Sequence, residues 1–76
     1  MMTIAYVLIN SEFGAEEQVL RDLKNMSEVK EAHVVYGVYD IVIKIEGKTT
    51  EDLKNIIASK IRKNPNIRST LTMIVV

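Results

Sequence analysis

The stretch VVYGVYDIVIKI, residues 34–45, decides how this chain of 76 residues folds. Two runs rich in β-branched and aromatic residues flank the pair Gly37-Val38. A Gly-X pair between two such runs is typical of a type II′ hairpin, because glycine accepts the positive φ of the first turn position. The sequence therefore predicts that a strand over Val29–Tyr36 turns directly into a strand over Tyr39–Glu46.

Upstream of this hairpin, the sequence predicts one strand and one helix. Thr3–Asn10 is short and rich in β-branched residues, which favours a strand. Asn10–Gly14 has the composition of a loop. The segment Ala15–Met26 then places apolar residues at helical spacing, with two glutamates in its first turn, where the helix dipole favours negative charge.

Downstream, the sequence predicts a second helix and a last strand. Thr49 is a candidate N-cap, with Asp52 three residues later. The helix closes at Arg62 and Lys63, because Pro65 cannot continue it. The final strand is Ile67–Val76.

The predicted order of elements is therefore βαββαβ. Two helices in crossover positions and one hairpin define a ferredoxin-like α+β sandwich, with both helices on one face of a four-stranded antiparallel sheet. A chain of 76 residues has room for one such domain, residues 1–76.

The first and last strands are apolar on both of their faces, whereas a sheet with one solvated face should alternate. An exposed apolar face of this size is rare in monomers. The sequence therefore predicts that a second copy covers the open face in a two-fold dimer of the dimeric α+β barrel type. On the first strand, Ile4, Tyr6 and Leu8 lie on one face and Ala5, Val7 and Ile9 on the other. On the last strand, Leu71, Met73 and Val75 lie on one face and Ile74 and Val76 on the other.

Composition argues against several classes of protein. Ten basic and ten acidic residues cancel, whereas a nucleic-acid binder usually has a basic surplus. The sequence has no cysteine and a single histidine, so we predict no disulfide, metal or cofactor. It has no apolar run near the roughly 18–20 residues of a membrane span and no signal-peptide pattern, so we expect a cytoplasmic protein.

Few residues suggest catalysis, and we predict that the chain is not an enzyme. The acidic residues are scattered, and the sequence has no phosphate-binding loop or nucleophile elbow. A less favoured alternative is a small dimeric α+β barrel enzyme that uses His33 or a tyrosine as its base.

One constellation could bind a small zwitterion. Asp40 begins an apolar strand beside the glycine turn, and its carboxylate could receive an ammonium group. Gly37 would let backbone N–H groups approach a ligand, and Thr70 and Thr72 present hydroxyls on one strand face. The alternative is that Asp40 caps the turn backbone and the threonines are ordinary strand residues.

The hairpin resembles the G-x-[YF/W]-D motif of the Lrp/AsnC regulators, specifically of their C-terminal RAM domain, which regulates amino-acid metabolism. The ending Asn66–Val76 resembles the T-x-T of that domain's last strand. The resemblance implies a ligand site at Gly37, Val38, Tyr39, Asp40, Thr70 and Thr72.

The resemblance also implies a sheet-packed homodimer, dimers assembled into rings that are commonly octamers, and an amino-acid effector bound between dimers. Full regulators begin with a helix-turn-helix domain, whereas this sequence starts at the first strand. We therefore expect a stand-alone RAM domain that binds no DNA itself and acts through sensing or through assembly with full-length Lrp/AsnC regulators. The alternative is a purely structural assembly partner that binds no ligand.

Overall fold

The computed structural model describes residues 2–76 and confirms the βαββαβ order. The elements are β1 (Thr3–Ser11), α1 (Glu16–Lys24), β2 (Val29–Val34), β3 (Ile41–Gly47), α2 (Thr50–Ile56), a π-helical segment (Ile57–Ile61) and β4 (Ile67–Ile74). Strand β4 lies at one edge of the sheet and β2 at the other, in the order β2-β3-β1-β4, and all three pairings are antiparallel. The ferredoxin-like α+β fold that the sequence predicted is therefore confirmed.

The hydrophobic core lies between the two helices and one face of the sheet. On strand β3, every second residue from Ile41 to Ile45 is an isoleucine that is buried, while the residues between are half-buried. This alternation puts the isoleucines on the sheet face that the helices cover. The helices contribute apolar side chains from the stripes that the sequence predicted. Core members include Val7, Ile9, Val19, Leu23, Ile41, Ile43, Ile45, Leu53 and Ile61.

The start of α2 follows local capping rules. The side chain of Thr49 accepts a hydrogen bond from the backbone N–H of Asp52 at 3.1 Å, so the predicted N-cap is confirmed. Helix α1 is shorter than predicted, because the backbone leaves helical bonding after Lys24 and turns through Asn25 toward β2.

The second helix does not continue regularly to Lys63, as the sequence had suggested. From Ile57 to Ile61 the backbone forms a π-helix, and the N–H of Arg62 donates to the carbonyl of Ile57 at 2.8 Å. Ile57 and Ile61, at the two ends of this segment, are both buried in the core.

The predicted two-residue turn at Gly37-Val38 is wrong. Strand β2 ends at Val34 and β3 begins at Ile41, and the loop closes where the N–H of Val35 donates to the carbonyl of Asp40 at 2.8 Å. The first turn residue of a type II′ turn has a φ of about +60°, whereas Gly37 has a φ of +142°. A contact outside the hairpin also fixes the end of the loop, because the N–H of Asp40 donates to the carbonyl of Ile9 on β1 at 2.9 Å.

On β1 and β4, the sheet face that points away from the helices is apolar and partly exposed, as the sequence predicted for the first and last strands. Tyr6 is 38% exposed, and Leu71, Met73 and Val75 are 47–49% exposed. The register pairs Tyr6 with Met73, so these side chains form a continuous surface across β1 and β4. Within residues 2–76, no helix is both long and apolar enough to cross a membrane.

Candidate functional site

Asp40 lies where the β2–β3 loop meets the end of β1. One carboxylate oxygen, Oδ2, accepts a hydrogen bond from the backbone N–H of Ser11 at 3.0 Å and lies 3.5 Å from the Ser11 hydroxyl. Ser11 is buried, at a register shift between β1 and β4. These contacts fix the orientation of the Asp40 carboxylate, and within residues 2–76 its other oxygen accepts no hydrogen bond.

A depression of about 470 Å³ opens beside this carboxylate. The exposed side chains of Phe13 and Val38 form apolar parts of its wall, and Glu16 and Arg68 supply charges. Both carboxylate oxygens of Glu16 accept the N–H of Gly14, Oε2 at 3.0 Å and Oε1 at 3.3 Å. The Asp40 depression therefore contains an anchored carboxylate, and its walls are mostly polar.

Thr70 and Thr72 lie on the helix-facing side of β4, opposite Ile9 and Val7. Both are half-buried, and within residues 2–76 neither hydroxyl has a hydrogen-bond partner. They line a second depression of about 480 Å³ between β4 and the π-helical segment. Its other lining residues are Ile57, Arg62, Ile67, Arg68 and Ser69.

The predicted site residues are thus divided between two adjoining depressions. Val38 and Asp40 line the Asp40 depression, and Thr70 and Thr72 line the second one, which we call the β4 depression. Arg68 and Ser69 line both, so the two depressions meet along β4.

Gly37 and Tyr39 lie in the same loop as Asp40 but line neither depression. Gly37 has a φ of +142°, and a Cβ at this position would meet no atom within 4 Å. Its backbone conformation rather than a close approach therefore favours glycine. Tyr39 is half-buried directly before Asp40.

Sequence reasoning missed the two arginines. Arg68 stands two residues before Thr70 on the same strand, so the alternation that selected the threonines also places Arg68 with them. Arg62 was assigned only to the end of a helix, and nothing local signals that the π-helical segment brings it to β4.

His33 is far from these depressions in the fold. It pairs with Val42 across β2 and β3, and its Nε2 lies 3.4 Å from Glu31 Oε1 on an exposed surface. It lines neither the Asp40 nor the β4 depression. Within residues 2–76, no three His, Cys, Asp or Glu side chains are grouped so as to hold a metal ion.

Comparison with known proteins identifies the family. Residues 4–76 match the model of the Lrp/AsnC ligand binding domain. The HTH-type transcriptional regulator FL11 of Pyrococcus horikoshii is 33% identical over 72 residues, which cover 95% of this chain and 47% of that regulator. The crystal structure of a hypothetical protein from P. horikoshii has a TM-score of 0.93 and 46% identity, covering 100% of this chain and 90% of the other.

A third relative is a homocitrate synthase of Saccharolobus islandicus, which is 42% identical over 57 residues. The match covers 75% of this chain but only 12% of that enzyme. The chain spans about half the length of the curated regulators that it matches. The family match confirms the resemblance carried by the hairpin and the last strand: this chain belongs to the Lrp/AsnC ligand-binding domain family.

Proposed function

We propose that this chain is an effector-binding and oligomerisation module and that its effector is an amino acid, so that it acts in the regulation of amino-acid metabolism. The observation that carries the proposal is the Asp40 carboxylate, which Ser11 holds in one orientation at the wall of a depression. Membership of a ligand-binding domain family supports the same assignment.

The chemistry of the two depressions suits a zwitterion. An ammonium group donates up to three hydrogen bonds and pairs with a carboxylate such as Asp40. The α-carboxylate needs donors, which Arg68 and the hydroxyls of Thr70 and Thr72 offer in the adjoining depression. A volume of about 470 Å³ lies in the range of pockets that hold small molecules.

Gly37, Val38 and Tyr39 complete the proposed site through the loop that carries Asp40. Val38 is 84% exposed and Tyr36, beside Gly37, is 106% exposed. The Asp40 depression is open to solvent on this side. A neighbouring subunit that packs on this loop would close it over a bound amino acid.

The open face of the sheet supports a homodimer. Burying the half-exposed apolar side chains of β1 and β4 against a second copy would remove them from water. Larger rings of dimers, such as octamers, and mixed assemblies with full-length Lrp/AsnC regulators would use the remaining surfaces.

A second candidate is a purely structural assembly partner that binds no ligand. The exposed side chains of Phe13, Tyr36 and Val38 favour it, because they suit a protein contact as well as a pocket wall. Catalysis is the weakest candidate, since the match to a homocitrate synthase covers only a small part of that enzyme.

Light scattering and thermal unfolding, with and without each of the twenty amino acids, separate these candidates. We expect a dimer or larger ring whose melting temperature rises with at least one amino acid. At a hundredfold excess over Kd, the ligand should stabilise the fold by about 2.7 kcal/mol. An oligomer that responds to none of them would favour the structural partner, and a monomer would contradict the packed-sheet dimer.

A further inference from the structure

The β4 depression is rich in cationic and hydroxyl donors. Two guanidinium groups, from Arg62 and Arg68, line it together with the hydroxyls of Thr70 and Thr72. Ile57 and Ile67 supply the apolar part of its wall. The lining includes no carboxylate.

Both arginines reach this depression because of specific backbone features. Arg62 directly follows the π-helical segment, and its N–H closes the wide turn onto Ile57. A regular α-helix would carry this residue to a different angle around the helix axis. Arg68 lies at the register shift between β1 and β4, because Ser69 pairs with Asn10 and Ile67 with Ser11, which leaves Arg68 as the extra residue of β4.

Neither guanidinium is neutralised by the rest of the protein. Within residues 2–76, the ion pairs join Glu28 with Lys60, and Glu31 with Lys44 and His33. Among residues 2–76, neither Arg62 nor Arg68 has a carboxylate within 4 Å, although the chain carries equal numbers of acidic and basic residues. Both guanidiniums therefore keep donors that an anion could use.

We infer that the effector is an amino acid with a second acidic group in its side chain. This inference rests on the proposed function. The ammonium group pairs with Asp40, the α-carboxylate lies at Arg68 where the two depressions meet, and the side-chain carboxylate extends to Arg62. The planar guanidinium matches a carboxylate with two parallel hydrogen bonds, which makes these pairs selective for acidic groups over amides.

Titration calorimetry with L-glutamate and L-glutamine tests this inference, because the two ligands have nearly the same shape and differ in side-chain charge. We expect the full chain to bind glutamate about tenfold more tightly than glutamine. Arg62→Gln should reduce this preference to near one, because glutamate loses a charge-assisted pair and therefore more affinity than glutamine loses. Raising the salt concentration should weaken the preference, since the guanidiniums are exposed.

Lys63→Gln is the matched control. Lys63 is exposed, directly follows Arg62 and lines neither depression, and its replacement removes the same charge. It should keep the preference for glutamate. If Lys63→Gln and Arg62→Gln have equal effects, the preference comes from net charge and the inference is wrong.

The remaining outcomes separate this inference from the proposed function. Equal affinity of the unmodified chain for glutamate and glutamine, or binding of neutral amino acids alone, would overturn the inference and leave the proposed function standing. Binding of none of the twenty amino acids would overturn both. Unchanged melting temperatures without ligand would show that the variants remain folded.

Discussion

The two faces of the sheet differ in how completely this chain covers them. On the helix-facing side, Val7, Ile9 and Ile45 are fully buried. On the open side, Leu71 and Met73 remain 47% and 48% exposed. The helix-facing core is therefore closed by the two helices, whereas residues 2–76 leave the apolar part of the open face uncovered. Substitutions on the helix-facing side should change the free energy of unfolding, and substitutions on the open side should change the assembly of subunits.

The largest effect is expected in the helix-facing core. Ile43 is 1% exposed, and Ile43→Ala would leave a cavity that the packed neighbours cannot fill. We expect the free energy of unfolding to fall by about 3 kcal/mol in urea titrations followed by circular dichroism. Ile43→Val, which removes one methylene group, should lower the free energy of unfolding by about 1 kcal/mol. This variant tests the same prediction if the alanine variant does not fold.

Val38→Ala is the control for this prediction. Val38 is 84% exposed in the β2–β3 loop, so its truncation should change the free energy of unfolding by less than about 0.5 kcal/mol. Equal effects at Ile43 and Val38 would contradict the packing described for the core.

On the open face, we expect a change of assembly with little change in the fold. Met73→Glu places a charge in the middle of the apolar surface, where a second copy would have to bury it. The solution mass should halve in light scattering, and the melting temperature should lose its dependence on protein concentration.

Val34→Glu is the matched control for Met73→Glu, because it adds the same charge away from the open face. Val34 is 53% exposed on strand β2 and pairs with Ile41, so it points away from that face. Its replacement adds the same charge and should leave the mass unchanged. A Met73→Glu protein with the original mass would show that the dimer does not use the open face.

A smaller effect is expected within the helix layer. The Lys60 ammonium donates to Glu28 Oε2 at 2.6 Å, and this hydrogen bond lowers the pKa of Glu28 from its ordinary value of 4.5. Because the folded pKa is the lower one, the stabilisation is present above about pH 4.5 and is lost as the pH falls through the folded pKa. Lys60→Met should lower the free energy of unfolding at pH 7 by about 0.5 kcal/mol.

The pH dependence makes this prediction specific. The difference between Lys60→Met and the unmodified chain should shrink as Glu28 becomes protonated in acid. Lys48→Met is the control, since Lys48 is exposed and has no ion pair within residues 2–76. An equal loss at pH 7 and pH 3 would mean that Lys60 acts by packing rather than by its charge.

Much of the fold could be predicted because its signals are local. The alternation of Ile41, Ile43 and Ile45 defines a strand, and the Thr49 cap marks the start of a helix. The β2–β3 turn was predicted incorrectly because its shape depends on contacts that are distant in sequence. Asp40 bonds to Ser11, 29 residues earlier, and no local turn rule includes such a bond.

The candidate site was predictable in part for the same reason. The spacing of Thr70 and Thr72 places them on one strand face, and the structure places both in one depression. The role of Arg62 could not be predicted, because it depends on the π-helical segment and on packing against β4. The separation of Asp40 from the threonines likewise depends on the sheet order, which only the folded chain shows.

In the proposed effector site, Asp40 binds the ammonium group of an amino acid. Calorimetry of Asp40→Asn, with the amino acid that most raises the melting temperature of the unmodified chain, tests it most directly. The asparagine oxygen can still accept the N–H of Ser11, so the loop should remain in place while the charge is lost. Glu17→Gln, on the exposed surface of α1, removes an equal charge away from the site.

We predict that Asp40→Asn weakens binding at least about tenfold, as expected for the loss of a charge-assisted hydrogen bond. Glu17→Gln should bind like the unmodified chain, and both variants should melt near its temperature without ligand. Unchanged affinity in a folded Asp40→Asn protein would show that Asp40 does not bind the ammonium group.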